Sequence, residues 1–201
     1  MASQRSKSSP IKLSVVLATH NEEANIGKCL ESVKDIAGEI IIVDGESDDK
    51  TVEIAKTFRA KIISTPNLPT HFHEMKKKAI DAATGEWILQ LDADEIVTPE
   101  LTREIKSILS TEHLSLSTCN GYWIPRKNYF LGRFLTKGGQ YPDYTMRLYK
   151  NGKGNLPTVD VHKQAAVIGE VGYLTNPMLH YGTPDFKNYM TRINKYTSLM
   201  A

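Results

Sequence analysis

Glu86-Trp-Ile-Leu-Gln-Leu-Asp-Ala-Asp94 is a short apolar run that stops on two carboxylates. Its length and its Trp, Ile and Leu content suit a strand buried on both faces. The pattern recurs upstream. Leu13-Ser-Val-Val-Leu-Ala18 runs into Thr19-His20-Asn21-Glu22, and Glu39-Ile-Ile-Ile-Val43 runs into Asp44-Gly-Glu-Ser-Asp-Asp49. Lys61-Ile-Ile-Ser64 reads as a further short strand. Helical spacing fills the gaps. Ile26, Leu30 and Val33 mark a first helix, with Asn21 or Asn25 as its cap. Thr51 to Phe58 is a second helix, with Asp48 and Asp49 just before it as strand-end and capping residues. Glu74 to Ala83 is a third, stopped by Thr84-Gly85, and Pro99 to Ser110 a fourth, with the proline in its first turn. Strands alternating with helices predict a mostly parallel sheet covered on both faces. Such sheets bind ligands beyond the carboxyl ends of their strands, where the three polar clusters would gather.

The chain has 201 residues, 40% of them apolar and 24% charged, which suits one soluble domain. A core of that size buries roughly 70% of the unfolded surface without staples. The net charge of +2 conceals a split: residues 1–120 carry 14 basic and 19 acidic groups, residues 121–201 carry 11 and 4. Two kinds of partner are implied, one for each half. No apolar run approaches about 18 residues, so no span is predicted. Residues 1–10 are polar, read as a disordered tail, and are not followed by a signal-peptide core. Cys29 and Cys119 are too few for a disulfide framework or a four-ligand zinc site. Cys29 falls on the apolar stripe of the first helix and reads as a buried free thiol, at home in a reducing cytosol. Residues 65–73 read as a loop with His71 and His73 at the surface, and Lys76 to Lys78 as a solvated helix face.

Asp92 and Asp94, at i and i+2 past a buried strand, can face one cleft. Carboxylates there suit Mg²⁺ or Mn²⁺, which takes its other ligands from substrate phosphates. Taken alone the triplet reads equally as a solvated turn. Asp44 can accept from a nucleobase or ribose, or simply close its strand. The chain lacks the G-x-G-x-x-G, G-x-x-x-x-G-K-[ST] and G-x-S-x-G signatures, which argues against dinucleotide oxidoreductases, P-loop enzymes and α/β-hydrolases.

Beyond residue 120 the texture changes. Arg126, Lys127, Arg133, Lys137 and Arg147 interleave with Tyr122, Trp123, Tyr129, Phe130 and Tyr141. Aromatic faces stack on sugars and Arg forks grip phosphates, so Arg126, Arg133, Arg147, Trp123 and Tyr141 are acceptor-binding candidates. Others of these aromatics would pack a small second sheet. Single-stranded nucleic acid also suits this mixture, but it leaves the acidic strand ends unexplained. Residues 186–201 form an amphipathic helix without a stop, which predicts a chain continuing past Ala201.

Together, Leu13-Ser-Val-Val-Leu-Ala-Thr-His-Asn-Glu-Glu23, Ile42-Val-Asp-Gly-Glu-Ser-Asp-Asp-Lys-Thr51 and Ala83-Thr-Gly-Glu-Trp-Ile-Leu-Gln-Leu-Asp-Ala-Asp-Glu95 resemble the family 2 glycosyltransferases over roughly residues 11–185. Gly139 to Tyr149 and Val159-Asp-Val-His162 resemble the subgroup containing lipopolysaccharide-core β-glucosyltransferases. The resemblance implies an α/β GT-A fold and inverting transfer from a nucleotide sugar, UDP by default. It implies Thr19, His20, Glu22 and Asp44 around the nucleoside, Asp92 on the ribose or metal-bound water, and Asp94 on the metal. His180 is a further metal ligand or a core histidine, and Lys77 can reach the diphosphate. Direct displacement needs a base. Relatives often carry Val-His-Glu where this chain has Val161-His162-Lys163, so Asp160, Asp143 and His162 are the candidates, Asp160 first. Lys163 would instead suit an anionic lipid phosphate, hence the rival reading of a polyprenyl-phosphate glycosyltransferase. A non-catalytic nucleotide-sugar binding domain is the rival of another class. The expected partners are a nucleotide sugar and an anionic glycolipid or lipid phosphate, not nucleic acid. The expected place is the cytoplasmic face of a membrane, by peripheral contact or a segment beyond Ala201.

Overall fold

The apolar runs of the N-terminal half pair side by side, all parallel, in the order β3 (Lys61–Ser64), β2 (Glu39–Asp44), β1 (Leu13–Thr19), β4 (Trp87–Leu91). This is a computed structural model, describing residues 13–67, 72–110, 118–156, 164–183 and 185–199. The crossovers are α1 (Ile26–Val33), α2 (Thr51–Thr57) and α3 (Phe72–Asp81). Alternation along the strands sorts the core into two layers. Leu13, Val15, Leu17, Ile40, Ile42, Leu89 and Leu91 pack against α1, α2 and α4 (Pro99–Leu109). Val16, Ala18, Ile41, Val43 and Ile88 pack against Met75, Ala79 and Ile80 of α3. Helices on both faces explain why every residue of β1 and β4 is buried and why those strands read as continuous apolar runs.

The sheet continues beyond β4. After β5 (Glu95–Val97), α4, β6 (Gly121–Phe130) and β7 (Arg133–Phe134) comes β8 (Asp143–Lys150), which lies antiparallel to β4 and covers its edge. β6 follows antiparallel to β8, then β12 (Met178–Thr183) parallel to β6, then β5 antiparallel to β12. β7 and β11 (Val171–Tyr173) also pair with β6. A separate small sheet is present: β9 (Gly154–Asn155) with β10 (Ala166–Val167). Tyr149 packs against Gly154 of that sheet and clusters with Trp123 and Val167, as expected of some of the aromatics. The strands that carry Tyr122 and Tyr149 join the main sheet, since β4 leaves an unpaired edge beside buried Trp87 and Leu89 that another strand must satisfy. α5 (Phe186–Leu199) completes the described chain and exposes Phe186, Met190 and Ile193.

Local readings shift in places. Neither Asn21 nor Asn25 caps α1 with its side chain: Asn25 Nδ2 donates to Glu22, and Asn21 Oδ1 accepts from the Asp48 amide. Asp49 does serve α2, accepting from the Thr51 amide at 2.9 Å. Thr98 caps α4 through the Leu101 amide, with Pro99 following. The third helix starts two residues early, which buries His73 and Lys76, both expected at the surface. Cys29 is a buried free thiol, as its spacing indicated. His71 lies outside the described residues.

Candidate active site

Parallel pairing sets the ends of β2, β1 and β4 next to one another, with Thr19 opposite Asp44. Thr19 Oγ1 donates to Asp44 Oδ1 at 3.0 Å, Ser47 Oγ donates to the same oxygen at 2.6 Å, and the Ser47 amide donates to Oδ2 at 2.9 Å. His20 Nδ1 donates to the Gly45 carbonyl at 2.7 Å, which fixes an exposed imidazole face at the rim. A Cβ on Gly45 would lie 3.1 Å from Met75 Cε, tighter than an ordinary contact. The loops after β1 and β2 are tied together by Asn21 to Ser47, Glu22 to Thr51 and Glu23 to Asp49. Asn21 and Glu46 adopt φ of 55° and 53° to make that possible. These bonds build a fixed polar cup over the strand ends.

The end of β4 is more strongly charged. Asp92 lies between Lys76 Nζ at 2.5 Å and Arg147 Nη2 at 2.6 Å. Burial by itself would raise its carboxyl, but the Arg147 and Lys76 cations outweigh that and hold it well below the usual range. Arg147 also donates to the fully buried Glu95 at 2.6 Å, and these two anions keep its guanidinium charged against the penalty of burial. Arg126 extends the chain of charges, with Nη1 3.4 Å from Glu95, and Nε and Nη2 at 3.0 and 2.8 Å from Asp143 Oδ2. Asn128 Nδ2 donates to the same Asp143 oxygen at 2.9 Å, and His180 Nδ1 meets Asn128 Oδ1 at 2.7 Å. His180 Nε2 then stands 3.3 Å from Asp94 Oδ2. Glu22 lies near these acids: burial, then Asp94 and Asp92, push its carboxyl up despite the Asn25 hydrogen bond. Beside Asp92 a cavity of about 250 Å³ opens between α3 and β8, lined among others by His73, Lys76, Gln90, Arg147 and Gln164. Arg147 Nε is buried with no hydrogen-bond partner among the described residues.

Thr19, His20, Glu22, Asp44, Asp92 and Asp94 thus meet at one edge of the sheet, and His180 joins them from β12. Lys77 instead pairs along the helix surface with Asp81 at 2.6 Å, and its neighbour Lys76 is the lysine that reaches the site. Arg147 and Arg126 are engaged inside the charge network. Arg133 is exposed on β7, Trp123 is stacked on Tyr173, and Tyr141 lies under Lys127. Asp160, His162 and Lys163 lie outside the described residues. Sequence reading missed Lys76, Glu95 and Asn128 as participants. A signal existed for Lys76: Ala79 and Ile80, three and four residues on, put it on the apolar stripe of α3. Asn128 carried none, because its role comes from cross-strand neighbours.

Among the described residues no group of three or more His, Cys, Asp or Glu is placed to hold a metal. The Asp94–His180 pair nevertheless fits a divalent ion, offering one oxygen and one ring nitrogen at 3.3 Å. A Mg²⁺-type ion keeps most of its sites for water and phosphate and needs few protein donors.

Residues 14–166 match the profile of Glycosyl transferase family 2. An uncharacterized glycosyltransferase of Rickettsia typhi is 30% identical over 199 residues, covering 94% of this chain and 67% of that protein. The lipopolysaccharide core biosynthesis glycosyltransferase LpsC of Rhizobium meliloti is 27% identical, covering 95% of this chain and 71% of LpsC. Among solved structures, S. aureus TarS superposes with a TM-score of 0.61 at 16% identity, over 90% of this chain and 62% of that one. TarS in complex with UDP-GlcNAc gives 0.52 at 23%, over 63% of this chain and 37% of that one. The chain therefore spans only part of the length of its relatives, and the likeness to TarS is one of fold.

Proposed function

The chain belongs to glycosyl transferase family 2, and on that premise we propose that it moves a sugar from a nucleoside-diphosphate sugar, UDP by default, to a sugar hydroxyl of an anionic glycolipid. The observation that carries this reading is the placement of Asp44 and Asp94 beyond strands β2 and β4 at one edge of the sheet, with His180 3.3 Å from Asp94. In this account Thr19 and Asp44 hold the nucleoside, with the exposed His20 face against the base and Glu22 at the side. Asp94 and His180 hold Mg²⁺ or Mn²⁺. Such an ion, when bound, offsets the charge that grows on the diphosphate as the sugar leaves. Asp92, clamped by two cations, stays ionised and fixed beside the ribose.

Direct displacement with inversion requires a base for the incoming hydroxyl. Asp143 suits this poorly. Burial raises its carboxyl, but Asn128 and Arg126 hold it below the ordinary range, and three donors occupy one of its oxygens. Asp160 and His162 remain the base candidates.

A glycolipid acceptor is supported by the likeness to LpsC, whose name places it in lipopolysaccharide core biosynthesis. The basic excess of residues 121–201 suits approach to an anionic membrane face, the cytoplasmic one in this reading. Among the described residues no helix is long and apolar enough to cross a membrane. UDP-bound TarS complexes support UDP as the donor nucleotide. The test is incubation of the chain with a panel of UDP-sugars and Mn²⁺, offering lipopolysaccharide core oligosaccharide or polyprenyl phosphate, with UDP release and glycosylated product measured. Transfer to the oligosaccharide supports the proposal, and transfer to polyprenyl phosphate alone replaces its acceptor. Tight UDP-sugar binding without turnover would make the chain a binding domain.

A further inference from the structure

Asp143 on β8, Asn128 on β6 and His180 on β12 sit on three adjacent strands, with Arg126 opposite Asp143 and His180 opposite Asn128 in the register. We propose that Asp143 and Asn128 are positioning residues that fix the proton of His180 on Nδ1, so that Nε2 presents a lone pair toward Asp94.

The argument is one of donors and acceptors. Asp143 takes Arg126 Nε, Arg126 Nη2 and Asn128 Nδ2 on a single oxygen. An ionised carboxylate can only accept, so the Asn128 amide must turn its NH₂ toward it. That leaves Asn128 Oδ1 toward His180 Nδ1, at 2.7 Å. An amide oxygen cannot donate, so Nδ1 must carry the hydrogen. In a neutral ring Nε2 then has none. It faces Asp94 Oδ2 at 3.3 Å, so in that form two acceptors flank a gap complementary to a cation, a metal ion or the ring's own second proton. A histidine that ligates through one nitrogen is commonly held through the other, and removing such an outer partner typically costs about 10- to 100-fold in metal affinity. Strand pairing makes the relay rigid. Asp143 then serves the site through His180 rather than as a base.

The consequence for the metal rests on the metal-dependent reading above, whereas the proton position does not. The test is ¹⁵N NMR of the histidine rings of the metal-free full chain at about pH 8.5. His180→Gln assigns the signals. The expected result is a protonated Nδ1 and a bare Nε2 in the native sequence. Asn128→Ala, and Asp143→Asn where Asn128→Ala folds poorly, should mix the two neutral forms and weaken Mn²⁺ binding by about 10- to 100-fold, read by EPR. A native His180 protonated on Nε2, or on both nitrogens, would overturn the proposal. So would variants that leave both readouts unchanged. If the protonation pattern is as expected but Asp94→Asn leaves Mn²⁺ affinity intact, the relay stands and the metal reading falls.

Discussion

Lys76 Nζ meets Asp92 at 2.5 Å, while Asp94, two residues on, faces an imidazole instead of a fixed cation. One motif therefore holds two carboxylates in opposite electrostatic settings. Asp92 is neutralised within the protein by Lys76 and Arg147, whereas the partner of Asp94 is the His180 ring. The contrast supports the proposed division of labour, in which Asp92 orients and Asp94 holds the metal.

Breaking one arm of this network should cost stability in a definite order. Removing one partner of a buried ion pair typically costs about 3–5 kcal/mol. Lys76→Met leaves Asp92 its arginine, so a loss near about 3 kcal/mol is expected. Arg147→Met strips both Asp92 and the fully buried Glu95, and should cost more. Urea unfolding of the two variants checks the order, and a costlier Lys76→Met would contradict it.

Acid should weaken the same network. Asp92 and Asp143 both have folded-state pKa values below their ordinary value. The stability they contribute is present above the unfolded-state value of about 3.9 and is lost as pH falls below it toward the folded-state values. The gap between the native sequence and Lys76→Met should hold from pH 7 to about 5 and narrow below about 4. A gap independent of pH would place the effect of Lys76 in packing instead.

Glu22 runs the other way. Its carboxyl is pushed up, by burial first and then by Asp94 and Asp92, so its ionised form destabilises the fold above the unfolded-state value. Glu22→Gln should raise the Tm at pH 7.5, and the difference should shrink as pH falls through the unfolded-state value of about 4.3 and vanish near about pH 3, where both states are protonated. It should also weaken UDP binding with Mn²⁺ present. A variant less stable at both pH values would show that the Asn25 hydrogen bond outweighs the charge.

Asp44 offers a gentler probe. Its oxygens hold Thr19 and Ser47 and so tie the β1 and β2 loops. Asp44→Asn keeps the shape but replaces one acceptor with a donor. Hydrogen bonds to charged groups contribute about 1.5–3 kcal/mol, so a loss of about tenfold or more in UDP affinity is expected with the fold intact. Unchanged affinity by calorimetry would remove Asp44 from the nucleoside site.

Much of this was legible in the sequence because it is local. Apolar runs ending in Thr19, Asp44 and Asp92 encode parallel strands with their polar residues at one edge, and parallel pairing then brings those residues together. What was not legible is long-range. Glu95 stands in the sequence only as the last acid of the Asp92–Glu95 run, yet β5 pairs with β12, and Glu95 ends fully buried among arginines from β6 and β8. Arg126 and Arg147 look like free phosphate grips until β8 brings Asp143 and the end of β4 against them. Lys76 looked solvated in a run of three lysines. A start two residues earlier, and the apolar stripe it shares with Ala79 and Ile80, turn it inward.

The central claim is that a nucleoside diphosphate is held through a metal on Asp94 and His180. Calorimetric titration of UDP into the full chain, with Mn²⁺ and again with EDTA, tests it most directly, repeated for Asp94→Ala. The account predicts that UDP binds the native sequence at least about tenfold more tightly with Mn²⁺, a difference of about 1.4 kcal/mol, and that Asp94→Ala loses this dependence. Equal UDP affinity with Mn²⁺ and with EDTA, or an Asp94→Ala variant that keeps the full Mn²⁺ response, would contradict it.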